Sequence, residues 1–265
     1  MLYYPQLNTG TVCQYPLSRR NLRRTIVNSL ADGSTLQIGD DGAAGVRWTL
    51  GYVDLSDLEL GAIKGLFDAT SGSWHTFTFL DPTANLLTWS EDLLKAGWER
   101  DPFLMLTGAV PDPLGGTNGM QITNSGQVSQ TLQQTLDGPS WFQYCLSIWI
   151  RSEETTTITL YATTGTEEIA NAYIVGRYWK RLEHVFQMTS QQSGLSIGVR
   201  LNAGQRVELF GFQVEAQPAA GGYKQTQDRA GVYQNARFDQ DILGSQATGI
   251  NIHSCAVRII SNVAG

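Results

Sequence analysis

The chain has 265 residues, 42% of them hydrophobic and 16% charged, with 28 glycines and 10% aromatics. That length admits one large or two ordinary domains, and a texture rich in turns and aromatics but poor in charge predicts strands rather than charged amphipathic helices. A net charge of −6 with a pI near 5.0 counts against a protein whose main task is coating phosphate backbones, so no specific nucleic-acid partner is expected.

From Met1 to Leu30 the pattern is irregular, and LSRRNLRRTIVNSL is its strongly basic stretch. Its arginines Arg19, Arg20, Arg23 and Arg24 read as a solvated or subunit-facing loop or strand. Leu36 to Asp41 ends in Asp-Asp-Gly, a hairpin signal. Val46, Trp48, Leu50 and Tyr52 then alternate with Arg47, Thr49 and Gly51, the period of a half-buried strand. Ser56 and Glu59 form a capping box, Leu55 and Leu60 a hydrophobic staple, and Leu60, Ile63, Leu66 and Phe67 one apolar face, which predicts a helix from Asp57 to Asp68. Trp74 to Leu80 predicts a strand with His75, Phe77 and Phe79 on one face, closed by Asp81-Pro82 because proline supplies no ladder N–H.

Beyond Pro82 the texture changes. Ser90, Glu91 and Asp92 predict a single helical turn ended by Gly97. Eight short strands are then expected at Gly119 to Asn124, Gln127 to Leu132, Phe142 to Arg151, Thr157 to Ala162, Ala170 to Val175, Lys180 to Met188, Leu195 to Leu201 and Arg206 to Val214. Short strands at this spacing predict a jelly-roll β-sandwich. Pro218 to Gly222 has linker composition, and Val232 to Asp239 and Ile250 to Ser261 are again strand-like. Two strands alone are marginal in water, so these should complete the N-terminal sheet. The expected fold is all-β: a split sandwich with one helix from residues 1–82 and 227–265, and a jelly roll inserted over 83–226.

Two resemblances bear on function. RWTLGYVDLSDLELGAIKGLFDATSGSWHTFTFLDP resembles the N-terminal sandwich of tailed-phage distal tail proteins, the tail-tip hub family. NLLTWSEDLLKAGWER, YCLSIWIRS, YWKRLEHVFQMT and LFGFQVEAQPAAGGYKQT look like landmarks of the carbohydrate-binding-like jelly rolls of phage structural proteins, with Trp98, Trp179, Arg181 and Glu215 as scaffold positions. The first resemblance implies a virion protein that assembles with itself into a hexameric ring joining tail tube to tail-tip proteins, and MLYYPQLNTG, with neither the basic start nor the apolar stretch of a signal peptide, predicts synthesis in the host cytoplasm. The second implies an outward module able to touch host surface polysaccharide. A host-glycan-binding tail adhesin and a polysaccharide-degrading enzyme are the alternatives.

No catalytic constellation is legible. His75, His184 and His253 stand singly, and Cys13, Cys145 and Cys255 are odd in number and far apart, which predicts reduced core thiols. No enzyme activity, cofactor, metal or membrane insertion is expected. Sugars stack on aromatic faces and hydrogen-bond to polar neighbours, so Trp149, Arg151, Tyr161 and Tyr173 are the candidate glycan contacts. The competing expectation is that Trp149 and Tyr161 fill the sandwich core.

Overall fold

The computed structural model describes residues 1–262, except for the side chain of Asp41; Val263, the expected limit of the returning segment, lies outside those residues. Among the described residues the chain is all-β with one α-helix. It divides into two compact units, one from Met1–Asn8, Val12–Phe79 and the residues from Tyr233 on, the other from Thr9–Thr11 and Leu80–Val232.

Unit 1 opens with β1 (Leu17–Ser29) and β2 (Thr35–Leu55), which pair antiparallel from Leu17↔Leu50 to Ser29↔Thr35. The turn between them falls at Asp32-Gly33, not at Asp40-Asp41-Gly42 as the sequence suggested. Gly33 takes φ +82°, and the Asp32 carboxylate accepts the Ser34 N–H at 2.9 Å, which stabilises a tight reversal and leaves the later Asp-Asp-Gly inside a long strand. Helix α1 (Asp57–Ala69) forms where its caps predict. Ser56 Oγ accepts the Glu59 N–H, Glu59 accepts the Ser56 N–H at 2.9 Å, and Leu60, Ile63 and Leu66 are buried. Strand β3 (Phe77–Leu80) is shorter than expected. His75 stays exposed and stacks on the equally exposed Trp74 at 4.7 Å instead of joining the strand face.

Unit 2 contains β4 (Trp98–Arg100), β5 (Leu104–Val110), β6 (Gly119–Asn124), β7 (Gln130–Pro139), β8 (Tyr144–Arg151), β9 (Thr156–Thr163), β10 (Glu168–Val175), β11 (Lys180–Phe186), β12 (Ser193–Leu201) and β13 (Arg206–Glu215). They form two five-stranded antiparallel sheets, β10-β9-β12-β7-β4 and β11-β8-β13-β6-β5, packed as a jelly-roll sandwich. Alternation decides which side chains lie between the sheets: Leu146, Ile148 and Ile150 of β8 and Leu160 and Ala162 of β9 are fully buried there. The expected helical turn after Ser90 is absent. Trp89 takes φ +51° and Ser90 Oγ accepts the Thr226 N–H at 2.9 Å, so the side chain read as a cap holds a distant segment instead.

The chain then returns to unit 1 as β14 (Val232–Phe238), β15 (Ser245–Gly249) and β16 (Ile252–Asn262). The sheet order is β1-β2-β16-β14-β3, with β15 on β16. Its core is aromatic: Trp48 meets Phe79 at 4.9 Å, Phe77 meets Phe238 at 5.0 Å, and Phe67 of the helix meets Phe238 at 5.1 Å. The C-terminal strands thus supply the middle of a sheet that the N-terminal strands begin. The three cysteines are free and buried, and burial pushes the Cys145 thiol up to about 12.

Candidate functional site

The four candidate contact residues do not converge. Trp149 and Arg151 project from the outer face of the β8 sheet, since Trp149 pairs with Arg181 of β11 and the intervening Ile148 and Ile150 point inward. Tyr161 projects from the outer face of the other sheet, opposite Ala170 and Gly198. Tyr173 lies on that sheet's inner side, where its hydroxyl donates to the Glu183 carbonyl at 2.8 Å. Neither Trp149 nor Tyr161 fills the space between the sheets, but neither is a bare platform.

Trp149 is half-buried under the chain's own strap, Gln217 to Gln227. The Arg181 guanidinium stacks 4.5 Å from its ring, and Tyr223 meets it edge-on at 5.4 Å. Arg181 also donates to the Gly221 carbonyl at 2.7 Å and to Ser147 Oγ at 2.9 Å. Glu215, 2% exposed, pairs with Lys224 and accepts the Gly221 N–H and the Gln213 amide, each at 2.7 Å. Those partners satisfy a carboxylate that burial would otherwise penalise. Tyr161, 1% exposed, lies under the Arg200 guanidinium at 4.8 Å and donates to Gln133 Oε1 at 2.7 Å. Burial pushes its hydroxyl above the usual tyrosine range.

Arg151 leads elsewhere. It pairs with Glu208 and stacks 4.7 Å from the Trp179 ring. Glu208 lines a cleft of about 360 Å³ whose wall is Ser152 to Thr156 on one side and Ala203 to Arg206 on the other, with Gln121 beside it. Gln205 fastens the two walls, donating to Thr156 Oγ1 at 2.8 Å and the Thr157 carbonyl at 2.7 Å. The β10–β11 turn is tied to the same wall, because Ser152 N–H bonds the Gly176 carbonyl at 2.8 Å and Arg177 Nε bonds the Glu153 carbonyl at 3.0 Å. That turn carries Tyr178, 89% exposed, and Trp179.

The strand directions place this cleft at one pole of the sandwich. β8 runs toward it and β9 away, β10 toward it and β11 away, β12 toward it and β13 away. The chain enters and leaves the sandwich at the other pole, where Leu86 N–H bonds the Val214 carbonyl and Gly231 N–H bonds the Asn85 carbonyl. Asn85, fully buried, clamps that root: its amide donates to the Phe212 carbonyl at 2.8 Å, and its Oδ1 accepts the Val214 N–H at 3.0 Å. The cleft therefore sits at the free pole, opposite the chain's entry and exit, among the β8–β9, β10–β11 and β12–β13 connections. Its carboxylates, side-chain amides and Arg206 offer donors and acceptors to a hydroxyl-rich ligand, and the Tyr178-Trp179 pair offers aromatic surface beside them.

Sequence reasoning named Arg151 and noted Trp179 only as a scaffold position. It missed the Gln121, Gln205 and Glu208 side, whose only signal was the Asn202-Ala203-Gly204 turn.

No protein-family profile matches the chain, and no curated protein does. Among solved structures, unit-sized similarities occur to the enzymatically active domain of tailspike protein 4 of bacteriophage CBA120 (13% identity, TM-score 0.40, 52% of this chain and 22% of that one). Others are the carbohydrate-binding module TmCBM61 in complex with β-1,4-galactotriose (17%, 0.36, 49% and 97%) and the CBM22-1 xylan-binding domain of Paenibacillus barcinonensis Xyn10C (16%, 0.40, 51% and 96%). The assignment of unit 2 as a jelly-roll sandwich rests on its own strand registers.

Proposed function

We propose that this protein binds glycan, without turning it over, through the free-pole cleft of unit 2. The observation that carries the reading is the link between the cleft and an aromatic turn: Glu208 of the lining pairs with Arg151, whose guanidinium stacks on the Trp179 indole. Arg151 occupies one face of that indole, and the exposed ring of Tyr178 follows it in the same turn. Aromatic surface next to directed hydrogen-bonding groups suits a sugar ring, which has an apolar face and an equatorial rim of hydroxyls. The test is glycan-array and calorimetric binding by the full chain. Binding that weakens at least tenfold in Trp179→Ala and Tyr178→Ala supports the reading, and binding indifferent to both rejects it.

A second reading, compatible with the first, makes the chain a ring-forming component of a phage tail with unit 1 as the assembling part. One observation favours it. Beyond the last β16–β2 pair, Asn262↔Gly45, Arg24–Asp40 to Ser29–Thr35 form a ribbon that pairs with no third strand among the described residues. Ile26, Val27, Leu36 and Ile38 of that ribbon are exposed. An isolated ribbon is marginal in water, and four arginines at its base suit a chain whose overall charge is −6, so the fitting occupant is a second copy. Light scattering tests it: concentration-dependent oligomers that dissolve in Ile26→Ser/Ile38→Ser support self-assembly, and a monomer at every concentration and in the assembled particle ends it.

A further inference from the structure

The root pole of the jelly roll carries a second cleft, of about 350 Å³, that shares no residue with the first. Trp89 lines it, together with Glu91, Asp92, Asn118 and Gln225. Trp89 stands in the left-handed region at φ +51°, and its carbonyl accepts the Trp98 indole N–H at 3.1 Å, so the backbone beneath the ring is fixed from both sides. The Lys95 ammonium lies 5.2 Å from the ring centroid and 3.9 Å from Asp92. Glu91 is held by neutral donors only: Tyr223 Oη at 2.9 Å on one oxygen, Asn118 Nδ2 at 3.0 Å and Gln225 Nε2 at 2.8 Å on the other. Burial pushes the Tyr223 hydroxyl above the usual tyrosine range, which keeps it a donor to that carboxylate.

The chemistry of the lining narrows the ligand. Two carboxylates face the cleft, and its one nearby cation is engaged with Trp89 and Asp92, so phosphate, sulfate and uronate groups meet repulsion rather than a partner. What remains is an indole surface beside oriented carboxylate and amide groups, in a concavity of a few hundred Å³. An uncharged, hydroxyl-rich ring satisfies both demands. We infer that unit 2 has a second, independent carbohydrate subsite at its root pole, built on Trp89, Glu91 and Asn118 and selective for uncharged sugars. The inference stands on these residues alone, although it uses the same recognition chemistry as the free-pole cleft.

The two clefts share no lining residue, and where they come nearest along β6, at Met120 of one and Gln121 of the other, successive side chains point to opposite faces of the sheet. Isothermal titration of the full chain with xylotriose, cellotriose and β-1,4-galactotriose, and with trigalacturonate as the charged control, reads the two sites separately. Two equivalents of an uncharged trisaccharide are expected per chain, falling to one in Trp89→Ala and in Trp179→Ala, with at least tenfold weaker binding of trigalacturonate at the root pole. Asn118→Ala, at an exposed position that leaves the backbone untouched, gives the same loss as Trp89→Ala and guards against a folding defect.

One equivalent, lost in Trp179→Ala and kept in both root-pole variants, overturns this inference while the free-pole reading stands. One equivalent, lost in Trp89→Ala and Asn118→Ala and kept in Trp179→Ala, supports it and ends the free-pole reading. No binding of any trisaccharide overturns both.

Discussion

The guanidinium of Arg181 stacks 4.5 Å from the ring of Trp149 and donates to the Gly221 carbonyl at 2.7 Å, so one side chain fastens the strap over the face where the tryptophan of β8 sits. Charge-assisted hydrogen bonds and a cation–π contact in a half-buried setting predict that Arg181→Ala destabilises unit 2 by about 2–4 kcal/mol, with Arg181→Lys recovering little because the planar fork is lost. Denaturant unfolding followed by tryptophan fluorescence measures it; a change below about 0.5 kcal/mol would make the stack incidental.

Asn85 has both ends of its amide engaged while fully buried, bonding the Phe212 and Val214 backbone across the root of the sandwich. Asn85→Ala takes this side chain away from four backbone groups, the Phe212 and Lys224 carbonyls and the Leu87 and Val214 N–H groups, and the expected cost is about 2–4 kcal/mol. Faster hydrogen exchange at the Val214 amide in the variant would locate the loss at the root pole.

Gly198 faces β7 so closely that a Cβ there would stand 2.1 Å from the Leu132 carbonyl oxygen. Backbone cannot give way as a flexible side chain does, so Gly198→Ala should cost at least about 3 kcal/mol or prevent unit 2 from folding. A variant with unchanged melting behaviour refutes the close approach of β12 and β7 at this point.

His184 is fully buried, and burial holds its imidazole below the usual histidine range. Its Nε2 faces the Ile169 carbonyl at 3.3 Å, which can only accept, so Nε2 carries the proton and Nδ1 accepts from Asn171 at 3.2 Å. A base with a depressed folded pKa leaves the unfolded chain binding more protons, so this contribution is fully present above the unfolded value of about 6.5 and declines as pH falls below it. Unfolding at pH 7.5 and 5.5 should show lower stability at the acid end, and His184→Phe should flatten that slope.

The capping box of α1 is worth about 1 kcal/mol, so Ser56→Ala should speed amide exchange in the first helical turn without altering unit 2. Equal effects in both units would contradict a local role.

Local chemistry was enough for what depends on neighbours along the chain. Ser56 and Glu59 announce the helix because both partners of the capping box lie within three residues, and the bounds of β6 follow from its own alternation and flanking turns. The all-β character and the reduced, buried state of the cysteines follow from composition and spacing. Two local signals misled for one reason: Ser90 and Asp40-Asp41-Gly42 have the right chemistry for a cap and a turn, but a distant hydrogen bond claims the first and a better turn at Gly33 supersedes the second.

Only the tertiary structure decided which face each aromatic occupies and what covers it. Strand alternation puts Trp149 and Tyr161 outward on opposite sheets, a parity set by pairing with Arg181 and Gly198, partners more than thirty residues away in sequence. The same long-range registers bring Glu208 to Arg151, and Arg151 to Trp179, at the free pole. Composition supplies the aromatic and polar side chains. Where those groups meet is a property of register, because a one-residue slip would turn every one of them to the other side of its sheet.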